Sequence, residues 1–252
     1  MPGSVEHSGD FGFFEIGVSI MASPVKKKKV STKCAKCSVK LRERVCMKPG
    51  GTPSAGCPTL SKKSLLAKAS REYQSAENLE FARQASIQEG ECYSGREQRP
   101  YVIHPVKPRI LEICEFAQKM GYRRLGIVYC AGLINEAAIV SDFFEEKGFQ
   151  VVSVMCKAGC LPKEEIGLKD DEKVFRGGHE SMCNPIFQAM VVNEEGVDFN
   201  ILIGLCVGHD SLFFKYAEAP STVLAVKDRV TGHNPLAALY LLESYYSWLK
   251  EK

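Results

Sequence analysis

From residue 109 onward, short apolar runs alternate with stretches of helical periodicity. The runs over 124–129 (RLGIVY), 149–155, 199–205 and 222–226 are short enough to read as strands. Between them, helical patterns cover 134–147, which stops at Gly148, then 184–194, and a shorter stretch over 212–218. Strands separated by helices need crossover connections, so the sheet must be mainly parallel and covered on both faces. The expected fold is therefore α/β, with a doubly wound, Rossmann-like sheet of about four strands. A closing helix is expected over 235–251, with Asn234 as N-cap and Pro235 in its first turn.

Upstream of this domain (residues 109–252) the organisation changes. Residues 1–30 read as a flexible tail of Gly, Ser and Pro ending in a lysine run, and Met21 offers a second start. Residues 31–60 are rich in Cys, Lys, Pro and Gly and have almost no large apolar side chains, so a metal would have to supply their core. Residues 61–108 are expected to be a helix and a linker. Leu66, Ala69, Tyr73, Ala76 and Leu79 recur at helical spacing within a helix over 60–87, and a polar link over 90–108 leads to a helix over 109–120 that ends at Gly121. His104 reads as a turn residue, Cys92 as a linker residue and Cys114 as helix core.

Eleven cysteines stand in these 252 residues. The first 25 residues hold no Lys or Arg, so the basic start of a secretory leader is missing, and no apolar run reaches the roughly 18 residues that span a bilayer. We expect a cytoplasmic protein, without membrane association. Disulfides are disfavoured in that compartment, and eleven thiols exceed what packing needs. Metal binding or thiol chemistry is the alternative.

The cysteines fall into two sets. Cys34 and Cys37 form a C-x2-C pair, followed by Cys46 and by Cys57-Pro58. Such a pair presents two sulfurs to one tetrahedral ion, and the later two complete four ligands. A structural Zn suits four thiolates with no open position, while Cys57-Pro58 echoes iron–sulfur motifs, so an Fe–S centre stays the alternative here. The second set follows the strands: Cys130 after the first, Cys156 and Cys160 after the second, Cys206 after the third, with Cys183 at the start of a helix. In an open parallel sheet the carboxyl ends of the strands and the amino ends of the helices share one edge, which is where ligands bind. His209 and Asp210 reach the same rim, as do Asp228 and His233.

This rim set is expected to hold a transition metal, with a [4Fe–4S] cluster preferred and Cys130, Cys183 and Cys206 as ligands. Cys156 or Cys160 would then be the reactive thiol, and His209 or Asp210 the proton-transfer group. His179, in a Gly-Gly-His loop, reads as a surface residue. The resulting expectation is sulfur-transfer or redox chemistry on a small-molecule or redox partner. A non-enzymatic metal carrier or redox sensor would use the same residues. Nucleic-acid binding is a further alternative, because residues 26–48 hold ten Lys and Arg against one acidic residue, Glu43, but no aromatic side chain on which a base could stack. No G-x-G-x-x-G follows a strand, and neither a P-loop nor a G-x-S-x-G elbow occurs.

The quartet, the stretch over 109–130, Cys183-Asn184-Pro185 and Leu205-Cys-Val-Gly-His-Asp210 together resemble an uncharacterised prokaryotic family labelled only as metal-binding proteins. The resemblance runs from about Cys34 onward. It implies a metal and supplies neither substrate nor reaction.

Overall fold

The computed structural model describes residues 31–251. The expected tail over 1–30 lies outside them. The described residues fall into two compact units, one ending at Glu72 and the other beginning at Tyr73.

In the first unit, two short 3-10 turns, Cys34–Lys36 and Leu41–Glu43, precede helices α1 (Pro58–Ser61) and α2 (Lys63–Glu72). No residue over 31–57 is buried. The second unit begins with α3 (Ala76–Glu91), so the helix expected over 60–87 is interrupted. Ser75 accepts the Asn78 amide at 3.3 Å and starts a new helix there, because its hydroxyl competes for the backbone as an N-cap. The polar link is also more ordered than its composition implies: β1 (Tyr93–Ser94) pairs antiparallel with β2 (His104–Pro105). His104 therefore sits in a strand pair rather than a turn, and Cys92 is buried at the end of α3.

The remaining elements run α4 (Arg109–Lys119), β3 (Arg124–Tyr129), α5 (Ile134–Glu146), β4 (Gln150–Met155), α6 (Pro185–Glu194), β5 (Phe199–Ile203), α7 (His209–Tyr216), β6 (Ser221–Ala225) and α8 (Pro235–Tyr240). The strand order is β4-β3-β5-β6 and every pairing is parallel. The chain winds outward from β3 in one direction and then returns past it in the other. With right-handed crossovers, this places α5 on one face and α6 with α7 on the other.

The strands show the two faces by their alternation. Leu125, Ile127, Phe199, Ile201 and Ile203 pack with Phe116, Ala137 and Phe144 on one side. Val128, Leu202 and Val154 pack with Ala189, Val192 and Phe213 on the other. Gly126 makes room for the Asn200 side chain of β5 and for α6, since a Cβ there would stand 2.6 Å from Asn200 Oδ1 and 3.2 Å from a Val192 methyl.

The closing helix is shorter than expected. It stops at Tyr240, and only a 3-10 turn, Ser247–Lys250, follows. Leu236, Leu239, Tyr240, Tyr245 and Trp248 are exposed, so little packing holds a longer helix in place. Among the described residues, no helix is long and apolar enough to cross a membrane.

Candidate functional site

The winding direction reverses between β3 and β5, and the rim cysteines lie along the carboxyl edge of the sheet on which that reversal falls. The parallel ladder continues one residue past the strands. The Cys130 amide donates to the Ile203 carbonyl at 3.1 Å, and the Cys156 amide donates to the Tyr129 carbonyl at 2.8 Å. Cys130 and Cys156 thus hang from adjacent strands at the same height. Cys183 is brought to them by the Asn184 amide, which donates to the Cys156 carbonyl at 2.7 Å, while the Asn184 side chain caps α6 by accepting the Phe187 amide.

Three sulfurs meet there. Cys183 Sγ lies 3.7 Å from Cys156 Sγ, the Ala131 amide donates to Cys156 Sγ at 3.3 Å, and Cys130 is hydrogen-bonded to Cys156 from the other side. Cys156 is buried, whereas Cys130 and Cys183 are partly open to solvent. Cys156 holds its proton, because its thiol is pushed up by the sulfurs on either side and by burial. Cys130 is held below the usual thiol range by its hydrogen bond with Cys156, and further by the Gly132 amide and Lys227. Cys183 is lowered by Cys156, then by His209 and Lys157. His209 is raised in return by Cys183. The arrangement favours a proton on the middle sulfur and the thiolate form of the two that flank it, and the charged form of His209 is favoured beside Cys183.

Gln188 of α6 locks this edge. It is fully buried, and its Nε2 donates to Val154 O at 2.7 Å and to Tyr129 O at 3.3 Å.

The other expected residues stand elsewhere. The contact that Cys206 Sγ makes is with Arg229 Nη2, at 3.1 Å, so Cys156 rather than Cys206 completes the three-sulfur group. Asp210 is turned onto its own backbone: Oδ1 accepts the Gly208 amide at 3.0 Å and the Ser211 amide at 2.7 Å. An aspartate beside the start of a helix satisfies unpaired amides in this way, and its charge is one of those that raise His209. Asp228 likewise closes a turn by accepting the Val230 and Thr231 amides, each at 2.9 Å, and His233 packs in that same turn. Cys114 is core, as expected. Lys157 and Lys227, which sequence reasoning did not single out, directly follow Cys156 and closely follow β6; position after a strand was the available signal.

The loop over 157–183 is built on internal ion pairs. Lys173 is buried and its Nζ meets Glu164 at 2.9 Å, Asp170 at 2.8 Å and the Gly178 carbonyl at 2.6 Å. Glu180 accepts the Val174 and Phe175 amides at 2.9 and 3.0 Å and pairs with Lys163 at 2.7 Å. Lys173 holds Glu164 and Asp170 below the ordinary carboxylate range, and Lys163 does so for Glu180. Carboxyls lowered by folding contribute stability above their unfolded values, near 4 to 4.5, and lose it as pH falls through the folded ones. Protease nicking within 163–180 is therefore expected to begin as the protein is acidified below about pH 4, ahead of loss of the sheet, and Lys173→Met is expected to bring it on at neutral pH.

In the first unit, Cys34, Cys37, Cys46 and Cys57 line one cavity of about 90 Å³ together with Arg44 and Ser54. The Cys37 thiol is lowered by a hydrogen bond from Ser54, by the Val39 backbone and by the Arg44 guanidinium. Arg44 itself clasps the turn, donating to Val39 O at 2.9 Å and Cys37 O at 3.2 Å. Among the described residues, no group of three or more His, Cys, Asp or Glu is arranged to hold a metal ion as it stands. The donor chemistry nonetheless fits a soft ion at both places: four thiols around one cavity, and three thiols beside a histidine whose buried Nδ1 lacks a partner.

A family described as "Protein of unknown function (DUF1847)" matches residues 57–224. The chain belongs to that family. A relative from Methanocaldococcus jannaschii, "Uncharacterized protein MJ0455", is 42% identical over 179 residues, which cover 71% of this chain and 85% of that protein. Among solved structures, one of Dph2 from Pyrococcus horikoshii with a 4Fe-4S cluster is 17% identical at a TM-score of 0.31, covering 57% of this chain and 32% of that one. A second Dph2 structure gives 16% identity at the same TM-score, with 57% and 33% covered. The chain thus spans about a third of Dph2, and so slight a likeness carries no functional argument.

Proposed function

We propose that this member of the DUF1847 family is a metal-binding thiol protein whose rim group, Cys130, Cys156 and Cys183 with His209, is a centre for sulfur-transfer or redox chemistry. The observation that carries this reading is the contact of three sulfurs from three separate segments at the carboxyl edge of the sheet, where β3 and β4 end and α6 begins. Two of the three are partly open to solvent, which gives an outside sulfur compound or redox partner a way to them. The buried middle thiol keeps its proton and, by hydrogen-bonding the sulfurs on either side, favours their thiolate form, which is the nucleophilic and metal-binding one. His209 carries a proton at Cys183, and Lys157 and Lys227 offset the thiolate charge.

The same sulfurs are the residues that would hold a soft transition metal or a [4Fe–4S] cluster, which when bound would supply Lewis acidity or electron transfer. The quartet in the first unit would hold a structural ion, zinc by its four-thiol composition.

Metal analysis and a visible absorption spectrum of protein purified without oxygen test the proposal, with Cys183→Ser alongside. The expected result is metal at both places in the unmodified protein and loss of the rim share alone in the variant. Iron with broad visible thiolate-to-iron absorption identifies a cluster, and colourless zinc a mononuclear site. Equal metal content in both proteins would remove the metal from the rim.

A further inference from the structure

The loop over 157–183 carries a second thiol group that the rim does not use. Cys160 Sγ is exposed and lies 3.7 Å from His179 Nε2 and 3.5 Å from Ser181 Oγ, and these two partners are 3.0 Å apart. Nineteen residues separate Cys160 from His179, so their meeting is a product of the fold. An antiparallel bridge between Pro162 and Ser181 makes it, flanked by the Lys163 amide donating to Glu180 O at 3.0 Å and the Met182 amide donating to Leu161 O at 2.7 Å. Buried Lys173 grips the Gly178 carbonyl on one side of His179, and the buried carboxylate of Glu180 is fixed on the other. Such anchoring is more than a solvated loop histidine requires.

The backbone adds an independent sign. Cys160 has φ of +51°, one of two non-glycine residues at positive φ among those described. That region is unfavourable for a Cβ-bearing residue, and strain of this kind collects where a side chain must be presented in one direction. Here the side chain presented is a thiol aimed at an imidazole.

We propose that Cys160 is the entry thiol of the protein, accepting sulfane sulfur from a small persulfide or polysulfide with His179 as its proton acceptor. This rests on the sulfur-transfer reading above and names its donor class. His179 takes the proton of the Cys160 thiol. The thiolate attacks the outer sulfur of a donor R–S–SH, a new S–S bond forms on Cys160, and the donor's own S–S bond breaks. The departing R–S⁻ takes the proton back from His179. Cys160–SH and R–S–SH thus become Cys160–S–SH and R–SH, with no external oxidant or reductant. Ser181 Oγ is placed to hydrogen-bond the sulfur or the imidazole, and Glu164 is the further charge that bears on His179. Both ends of this loop carry rim cysteines, Cys156 and Cys183, which are ready acceptors for sulfur held on Cys160.

The test incubates the whole protein with glutathione persulfide and maps each cysteine peptide by mass spectrometry at early times, with Cys160→Ser, Cys160→Ala and His179→Asn in parallel and metal content measured on each. The expected result is a gain of one sulfur atom first on the Cys160 peptide, absent in both Cys160 variants while their metal content is unchanged. In His179→Asn, loading at neutral pH is expected to slow on the order of a hundred-fold and to approach the unmodified rate in alkaline buffer, where the thiol ionises unaided. A merely structural histidine would give the same deficit at every pH, which overturns its role. First loading on Cys130 or Cys183 with Cys160 bare overturns the entry thiol and leaves the sulfur-transfer reading intact. Sulfur on no cysteine overturns both.

Discussion

Stripping metal from the protein with a strong chelator, or changing Cys37 to serine, is expected to expose residues 31–57 to rapid proteolysis while the α/β domain melts as before. The reason is that the described residues of this segment have no buried core of their own. No residue over 31–57 is buried, and what fixes the backbone is a handful of hydrogen bonds, such as the Val45 amide to Thr52 O at 3.0 Å and the Thr52 amide to Glu43 O at 2.7 Å. Solvent-exposed hydrogen bonds of this kind are each worth about 1 kcal/mol net, far below the conformational entropy of ordering so many residues. A four-thiolate ion contributes on the order of 10 kcal/mol or more, and in segments of this size it is the folding free energy itself. Limited proteolysis with mass mapping, on the full chain with and without chelator, checks this. Equal resistance in the two conditions would mean that the segment is held by something other than an ion.

The second large effect is expected at Gln188. Its two donated hydrogen bonds join α6 to β3 and β4 at the height of Cys130 and Cys156, and its side chain is sealed from solvent. Gln188→Ala strips Val154 O of that partner and opens a cavity under the three sulfurs. The combined loss is about 2–5 kcal/mol, a large share of the stability of a domain this size. Urea denaturation should show a lower midpoint with an unchanged slope. Thiol alkylation of the folded variant should also change at Cys130 and Cys156, because the helix that aligns their strand ends has loosened. A variant as stable as the parent would show that α6 is held by its apolar face alone.

The fold was the most legible part of the sequence. Apolar runs such as Arg124-Leu-Gly-Ile-Val-Tyr129 bounded by helical patterns left few arrangements besides a parallel, doubly wound sheet, and the four observed strands are β3 to β6. Helix ends were less legible, for local and opposite reasons. At Ser75 a hydroxyl ended one helix and capped the next within a pattern that looked continuous, and beyond Tyr240 the apolar pattern continued without a surface to pack on.

The rim was legible only to the level of an edge. Topology brings Cys130, Cys156, Cys183 and Cys206 to one side of the sheet, but nothing in their spacing says which sulfurs touch. That was decided by the adjacency of β3 and β4, which hangs Cys156 beside Cys130, and by Arg229, which engages Cys206. The pairing of Cys160 with His179 was invisible for a similar reason. It depends on a single bridge, Pro162 to Ser181, inside a segment whose sequence reads as surface loop.

That segment leaves the sheet at Cys156 and returns to the same peptide, where the Asn184 amide meets the Cys156 carbonyl at 2.7 Å. Its two feet stand together, and most of its ion pairs are internal. Residues 163–180 are consequently a cassette: they can be lengthened, shortened or exchanged without altering the register of any strand. A change confined to 163–180 would leave Cys130, Cys156 and Cys183 where the strand ends and the start of α6 hold them.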